Sequence, residues 1–225
     1  MEGMDLSGLD LSGISVSGIN MVGVNLENAN LSRATLRNAD LRRANLTGAI
    51  LVDAELGFAD LGGADLTGVN LAGHDLTGAK LVDAQLAGAD LTKAVLRDVS
   101  LHGADLSGAT LVEAIMEGAD LTNANLSGAN LNRANLEEAD LRQAWLANTN
   151  LAGARLVNAD LSQTILIDAV FTDANLDGTR FFETSFINAM LFHTNWAEAF
   201  CEQTPGMEIV RCTESFLVEQ GALLR

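Results

Sequence analysis

The chain has 225 residues and a formal net charge of −17, with 48% hydrophobic and 4% aromatic residues. Such an acidic surface repels phosphate backbones, which argues against direct nucleic-acid binding. Residues 1–5 lack the basic start of a secretory segment, and no apolar run reaches about 18 residues. We therefore expect a cytoplasmic protein that does not cross a membrane.

A five-residue unit organises the chain from Met4 to Ala199 without an insertion. Each unit contains a small residue, Asp or Asn, a central residue and two variable residues, here numbered i−2, i−1, i, i+1 and i+2. The central position recurs 39 times between Leu6 and Trp196, and 32 of these residues are Leu. A repeat of this regularity determines the architecture before any local propensity does.

A period of five fits neither a helix nor a flat strand. Five residues rotate a helix by about 500°, so central leucines would form no stripe. On a strand, an odd spacing would send successive leucines to opposite faces. The chain must therefore turn once in every unit, as in a solenoid with short straight edges.

The corner positions agree with this interpretation. Gly, Asn and Asp are frequent at i+2, where a type II turn requires a positive φ. Where i+2 is bulkier, as at Arg33, Phe58 and Glu138, we expect type I-like corners. Ala at i−2 is expected to point inward between the leucines.

Exposed apolar residues at i−1 indicate how many corners complete a coil. Stacked coils place equivalent positions above one another, where apolar pairs are favourable. Three such pairs are twenty residues apart, which favours four units per coil: Val95/Ile115, Trp145/Ile165 and Val170/Met190.

The A(D/N)LXX unit, as in Ala119-Asp120-Leu121-Thr122-Asn123, resembles the repeat of the pentapeptide repeat proteins. The resemblance implies an all-β solenoid, a right-handed quadrilateral β-helix. With four units per coil, residues 1–200 would form about ten coils and a rod of about 45–48 Å. Residues 201–225 leave the repeat and are expected to form a C-terminal cap.

His74 occupies an i−2 position where most units have Ala. In a twenty-residue coil it would be buried between Ala54 and Ala94 and would need hydrogen-bond partners. No other histidine, cysteine or carboxylate shares the inward columns, so we expect a structural role and no metal site.

An acidic row is the first candidate surface for a partner. Asp120, Asp140 and Asp160 are expected on one face, one coil apart, and Glu117 and Glu137 also stack. The row is either an imitation of phosphates or a set of side chains that bind backbone groups at corners. Exposed Trp145 and Ile165 are further candidates for contact with a partner.

The last residues are expected to close the rod. Pro205-Gly206 predicts a turn, and residues 213–224 predict a helix with Thr213 as its N-cap. The candidate contacts are Trp196, Phe200, Phe216, Leu217, Leu223 and Leu224. They serve either as a cap alone or as a cap that also forms a homodimer, a role known for such ends in the family.

Cys201 and Cys212 are the only cysteines, and they flank the predicted turn. They could pair as a disulfide that closes the cap, as terminal segments are pinned in some members of the family. In a reducing cytoplasm the thiols would instead stay free.

No catalytic motif or phosphate loop is present, so we expect neither an enzyme nor a cofactor. Two functional hypotheses remain. In the first, an acidic rod binds a protein, in its sharpest form as a mimic of duplex DNA directed at gyrase, because the family includes gyrase-binding members. In the second, it is a structural protein without DNA mimicry.

Overall fold

The computed structural model describes residues 1–202 and 209–224. Parallel β-bridges join residues twenty positions apart, from Asp5 with Asn25 to Asn175 with Asn195. Each coil of the solenoid therefore contains four five-residue units, and each unit forms one straight edge and one corner. The turn Pro205-Gly206 lies outside the described residues.

The hydrogen bonds explain why each position of the unit has its residue type. The N–H groups of i and i+2 donate to the next coil, as in Leu121 to Asp140 O at 2.7 Å. The i−1 N–H donates to the previous coil, and the i−2 N–H closes the preceding turn. The i+1 N–H has no backbone acceptor and donates instead to the side chain of the Asp or Asn at i−1, as in the N–H of Thr122 to Asp120 Oδ1 at 3.0 Å. The Asp and Asn side chains at i−1 therefore stabilise the corners of the solenoid.

All corners between residues 3 and 193 have a positive φ at i+2, whatever the residue there. The prediction of type I-like corners at bulkier residues is wrong, because φ is positive there too: 58° at Arg33, 60° at Phe58 and 58° at Glu138. The i+2 N–H must point at the next coil, as in Glu138 to Val157 O at 2.9 Å. The stacking of coils thus overrides the local preference of a side chain for negative φ.

The core is a continuous column along the axis. Central leucines and i−2 alanines are buried almost completely between Leu26 and Leu166. Larger side chains replace them toward the C-terminal end, where the rings of Phe181 and Phe186 lie 5.1 Å apart. Each coil buries its apolar residues mainly against its neighbours.

Beyond the bridges, residues 1–202 and 209–224 contain three short strands and one helix. Strand β1 (Arg180–Phe181) pairs in parallel with β2 (Phe200–Glu202), and β2 pairs in antiparallel with β3 (Ile209–Arg211). Helix α1 (Glu214–Glu219) follows, and the Thr213 side chain accepts a hydrogen bond from the N–H of Phe216.

The helix is shorter than the predicted 213–224. It ends at the C-cap Gln220, and Gly221 has a φ of 91°. The chain then returns to the last coil, where Leu223 forms a parallel bridge with Met190. This bridge satisfies backbone groups at the end of the solenoid that a longer helix would leave unpaired.

Candidate protein-binding surfaces

The acidic row forms as a ladder on one face. Parallel bridges join Asp120 to Asp140 and Asp140 to Asp160. Each carboxylate also accepts the N–H of the residue two positions on, and Ser162 donates its hydroxyl to Asp160 as well. These side chains are half-buried, so part of each carboxylate faces the protein's own backbone.

Arginines neutralise much of this acidic surface. Arg142 pairs with Asp140 through its guanidinium, with an Nη2 to Oδ2 distance of 2.6 Å. Burial acts to raise the pKa of Asp140, but the hydrogen bonds and positive charge of Arg142 outweigh it, so the pKa lies below its ordinary value. Arg97 pairs with Glu117 and Arg155 with Glu137. The twenty-residue coil places Arg97 and Glu117 one above the other at equivalent i+1 positions, whereas the pairs Arg142–Asp140 and Arg155–Glu137 depend on side-chain orientation.

Trp145 and Ile165 form an apolar pair on a different face. A parallel bridge joins the two residues, and Trp145 is 59% exposed while Ile165 is 36% exposed. Their neighbours in the same ladder are the polar residues Asn125 and Ser185. The pair is therefore an isolated apolar patch on a polar face.

The terminal candidates divide into two groups. Leu217 is buried, and it lines a small void at the end of the axis with Phe181, Phe186 and Trp196. Leu223 is 46% exposed, and Phe216, Phe200 and Leu224 are half-buried. The disulfide between Cys201 and Cys212 joins β2 to the residue after β3.

A cleft separates two adjacent coils at residues 48–56 and 67–75. Backbone hydrogen bonding between these coils stops after the N–H of Leu46, which donates to Asp65 O. It resumes at the N–H of Phe58, which donates to Thr77 O. Between these points, all residues are described and no backbone hydrogen bond joins the two segments. The cleft has a volume of about 630 Å³. The repeat gave no indication of it.

His74 lies in this cleft. Its Nε2–H donates to Leu51 O at 2.7 Å, and its Nδ1 lies 3.3 Å from Ala72 O. The expectation of a hydrogen-bonded imidazole is confirmed, but the expectation of a buried one is wrong because the side chain is only half-buried. The ring lies between the two coils because it is too large to fit beside the alanines of the axis.

Within residues 1–202 and 209–224, no three His, Cys, Asp or Glu side chains come close enough together to hold a metal ion. No helix in the described part of the chain is long and apolar enough to cross a bilayer. His102 and His193 bind different partners, Thr122 and Asp173 respectively.

These features define a β-solenoid built from five-residue units, and sequence comparison gives the family. The sequence model of pentapeptide repeats matches overlapping segments that together cover residues 19–181. The chain belongs to the pentapeptide repeat family, whose members adopt a right-handed quadrilateral β-helix.

Three solved structures illustrate the similarity. HetL, involved in heterocyst differentiation regulation in the cyanobacterium Nostoc sp. strain PCC 7120, is 30% identical over 92% of each chain, with a TM-score of 0.40. Rfr23 from the cyanobacterium Cyanothece 51142 is 30% identical over 64% of this chain and 89% of its own, with a TM-score of 0.32. QnrB1, a plasmid-mediated fluoroquinolone resistance protein, is 18% identical over 79% of this chain and 84% of its own, with a TM-score of 0.31. None of the curated proteins is significantly similar in sequence to this chain.

Proposed function

We propose that this protein is a non-enzymatic scaffold that binds a protein partner through the faces of its rod. The observation that carries the proposal is the exposed Trp145 stacked on Ile165 within an otherwise polar ladder. Tryptophan is enriched among the residues that contribute most to protein interfaces. Pentapeptide repeat proteins are in general structural or scaffold-like, which agrees with this role.

Pull-down with the purified protein and lysate of its source organism tests this role. We expect the double variant Trp145→Ala/Ile165→Ala to lose the partner, because it removes the apolar patch without touching the core. Phe58→Ala is the matched control, since Phe58 is also an exposed apolar residue. If both variants retain the partner equally, the Trp145 face is not the interface. If deletion of residues 201–225 alone removes the partner, the end of the rod is the interface.

A second candidate function is mimicry of duplex DNA directed at gyrase. The net charge of −17 favours it. B-DNA carries one charge per about 1.7 Å, or about 26 over a rod of this length. The ion pairs of Asp140, Glu117 and Glu137 with arginines reduce the local charge, so the row is less DNA-like than its sequence suggests.

A supercoiling assay with purified gyrase tests the mimicry. We expect inhibition at micromolar concentration by the wild-type protein and weaker inhibition by the triple variant Asp120→Asn/Asp140→Asn/Asp160→Asn. Asn preserves the corner hydrogen bonds, as at Asn125, while it removes the three charges and, at position 140, the ion pair with Arg142. Absence of inhibition by the wild type would eliminate gyrase as the target and leave the general scaffold role intact.

We also propose that residues 201–225 cap about ten coils and that the exposed side of this cap forms a homodimer. Leu223 and the half-buried Phe216 supply the apolar surface for it. The solution mass tests the dimer, because a single chain has a mass of 23.7 kDa. A dimer that persists after Leu223→Glu would exclude this surface. The cytoplasmic location stays a prediction.

A further inference from the structure

The cleft at His74 is a departure from the repeat with an identifiable cause. Other units also place a hydrogen-bonding side chain at i−2. Thr149 donates to Leu126 O at 2.8 Å, Thr179 to Leu156 O at 2.8 Å and Thr184 to Leu161 O at 2.7 Å, each across 23 residues. His74 donates to Leu51 O across the same separation.

The size of the side chain explains why only the histidine is accompanied by a cleft. Around Thr149 the coils remain bonded, as in the N–H of Leu126 to Trp145 O at 2.7 Å. A threonine hydroxyl lies close to its own backbone and reaches the carbonyl of a neighbouring coil at normal spacing. The Nε2 of an imidazole lies farther out, so the same hydrogen bond holds the coils apart.

The open cleft presents two strand edges with unused hydrogen-bonding groups. The N–H groups of Leu51, Asp53, Asn70 and Asp75 have no backbone acceptor, in contrast to their equivalents in neighbouring coils. Backbone groups near the surface that lack protein partners bind water or another chain. An extended polypeptide has the alternating donors and acceptors that pair with such edges.

The side chains around the cleft narrow the chemistry of an occupant. Ile50 is 50% exposed and Val52 is 58% exposed, which provides an apolar rim. Asp53 and Asp75 also line the cleft, and its lining contains no Lys or Arg. The occupant should therefore combine apolar side chains with at least one positive charge.

We propose that the His74 cleft binds an extended segment of a partner polypeptide that carries apolar and basic side chains. The segment completes the interrupted strand pairing and covers Ile50 and Val52, while its basic group lies near Asp53 and Asp75. This inference rests on the proposed role in protein binding and adds a specific site to it. The cleft is separate from the Trp145 face and from the acidic row.

Selection from a phage-displayed library of random linear decapeptides tests the proposal directly. We expect the wild-type protein to enrich peptides with apolar and basic residues, and His74→Thr to bind them about tenfold or more weakly because it closes the cleft. Amide exchange should slow at Leu51 and Asp53 when a selected peptide is added. Failure to enrich any peptide, or equal binding by both proteins, would overturn the proposal.

A matched pair of charge reversals separates the cleft from the overall negative charge. Asp53 and Asp83 occupy the same corner position, each with a φ of 56°, but only Asp53 lines the cleft. We expect Asp53→Lys to weaken a selected basic peptide and Asp83→Lys to leave it unchanged. Equal weakening by both variants would show that binding reflects net charge alone, which contradicts the proposal.

The outcome is distinguishable from that of the scaffold proposal. Trp145→Ala/Ile165→Ala should leave selected peptides bound to the cleft, whereas His74→Thr should leave a partner of the Trp145 face bound. Loss of the natural partner in the first variant therefore says nothing against the cleft, and loss of peptide in the second says nothing against the Trp145 face.

Discussion

At the scale of single residues, the corner conformation creates strain that the repeat tolerates. Glu138 has a φ of 58°, a conformation that side chains with a Cβ adopt at some cost. Its backbone N–H nevertheless bonds the next coil at 2.9 Å. Stability gained from pairing on both sides of a coil outweighs the cost at each corner.

Replacing such a residue by glycine should therefore stabilise the protein. We expect Glu138→Gly to raise the free energy of unfolding by about 0.5 kcal/mol, because glycine adopts positive φ without a Cβ penalty and loses only part of this gain to unfolded-state entropy. Ala147→Gly is the control, since Ala147 is an i+1 residue without a positive φ, and we expect it to be destabilising. Chemical denaturation of the two variants measures both effects, and destabilisation by Glu138→Gly would contradict this account.

At the scale of structural elements, one edge of the solenoid departs from the ladder where His74 lies between coils. The alanines beside it show the consequence, because Ala49 is 8% exposed and Ala54 is 7% exposed while most alanines of the axis are completely buried. The cleft thus has a cost in both hydrogen bonds and burial. Local features that reduce stability in this way are often found at functional sites.

Closing the cleft should stabilise the fold. We expect His74→Thr to raise the free energy of unfolding by about 1–3 kcal/mol, because it keeps the bond to Leu51 O and restores several backbone hydrogen bonds. The reciprocal variant Thr149→His should destabilise by a similar amount, since it would separate coils that are now paired. Thermal or chemical denaturation checks both, and unchanged stability in His74→Thr would mean that the cleft does not depend on the imidazole.

At the scale of the whole molecule, the corner carboxylates link stability to pH. Hydrogen bonds from the Thr67 hydroxyl and N–H lower the pKa of Asp65, and those from Thr77 act in the same way on Asp75. The pKa values of Asp5, Asp10 and Asp40 are also lowered by hydrogen bonds from the residue two positions on. The ionised form of these five carboxyl groups is thus favoured in the folded state.

A lowered folded pKa contributes stability that is present above the unfolded value and is lost as pH falls through the folded value. The unfolded value for Asp is about 3.9, so we expect the contribution to be constant above about pH 5 and to fall below about pH 4. The free energy of unfolding of the double variant Asp65→Asn/Asp75→Asn should fall less steeply with decreasing pH, because Asn accepts the same hydrogen bonds and does not titrate. Urea denaturation between pH 3 and 7 measures this, and identical profiles would exclude the two carboxylates as the cause.

The sequence by itself determined the period, the four-unit coil and the columns of Leu and Ala, because each of these follows from a pattern repeated every five residues. It also contained the corner role of Asp and Asn, which depends on groups only two residues apart. The tertiary structure decided the uniform corners at Arg33 and Phe58, the pairing of Arg142 with Asp140, the short helix α1 and the cleft at His74. Each of these depends on how a side chain or strand meets a neighbour in space, and the period does not encode that fit. Apart from Asp140, which is two residues from Arg142, these neighbours are nineteen or more residues away in the sequence.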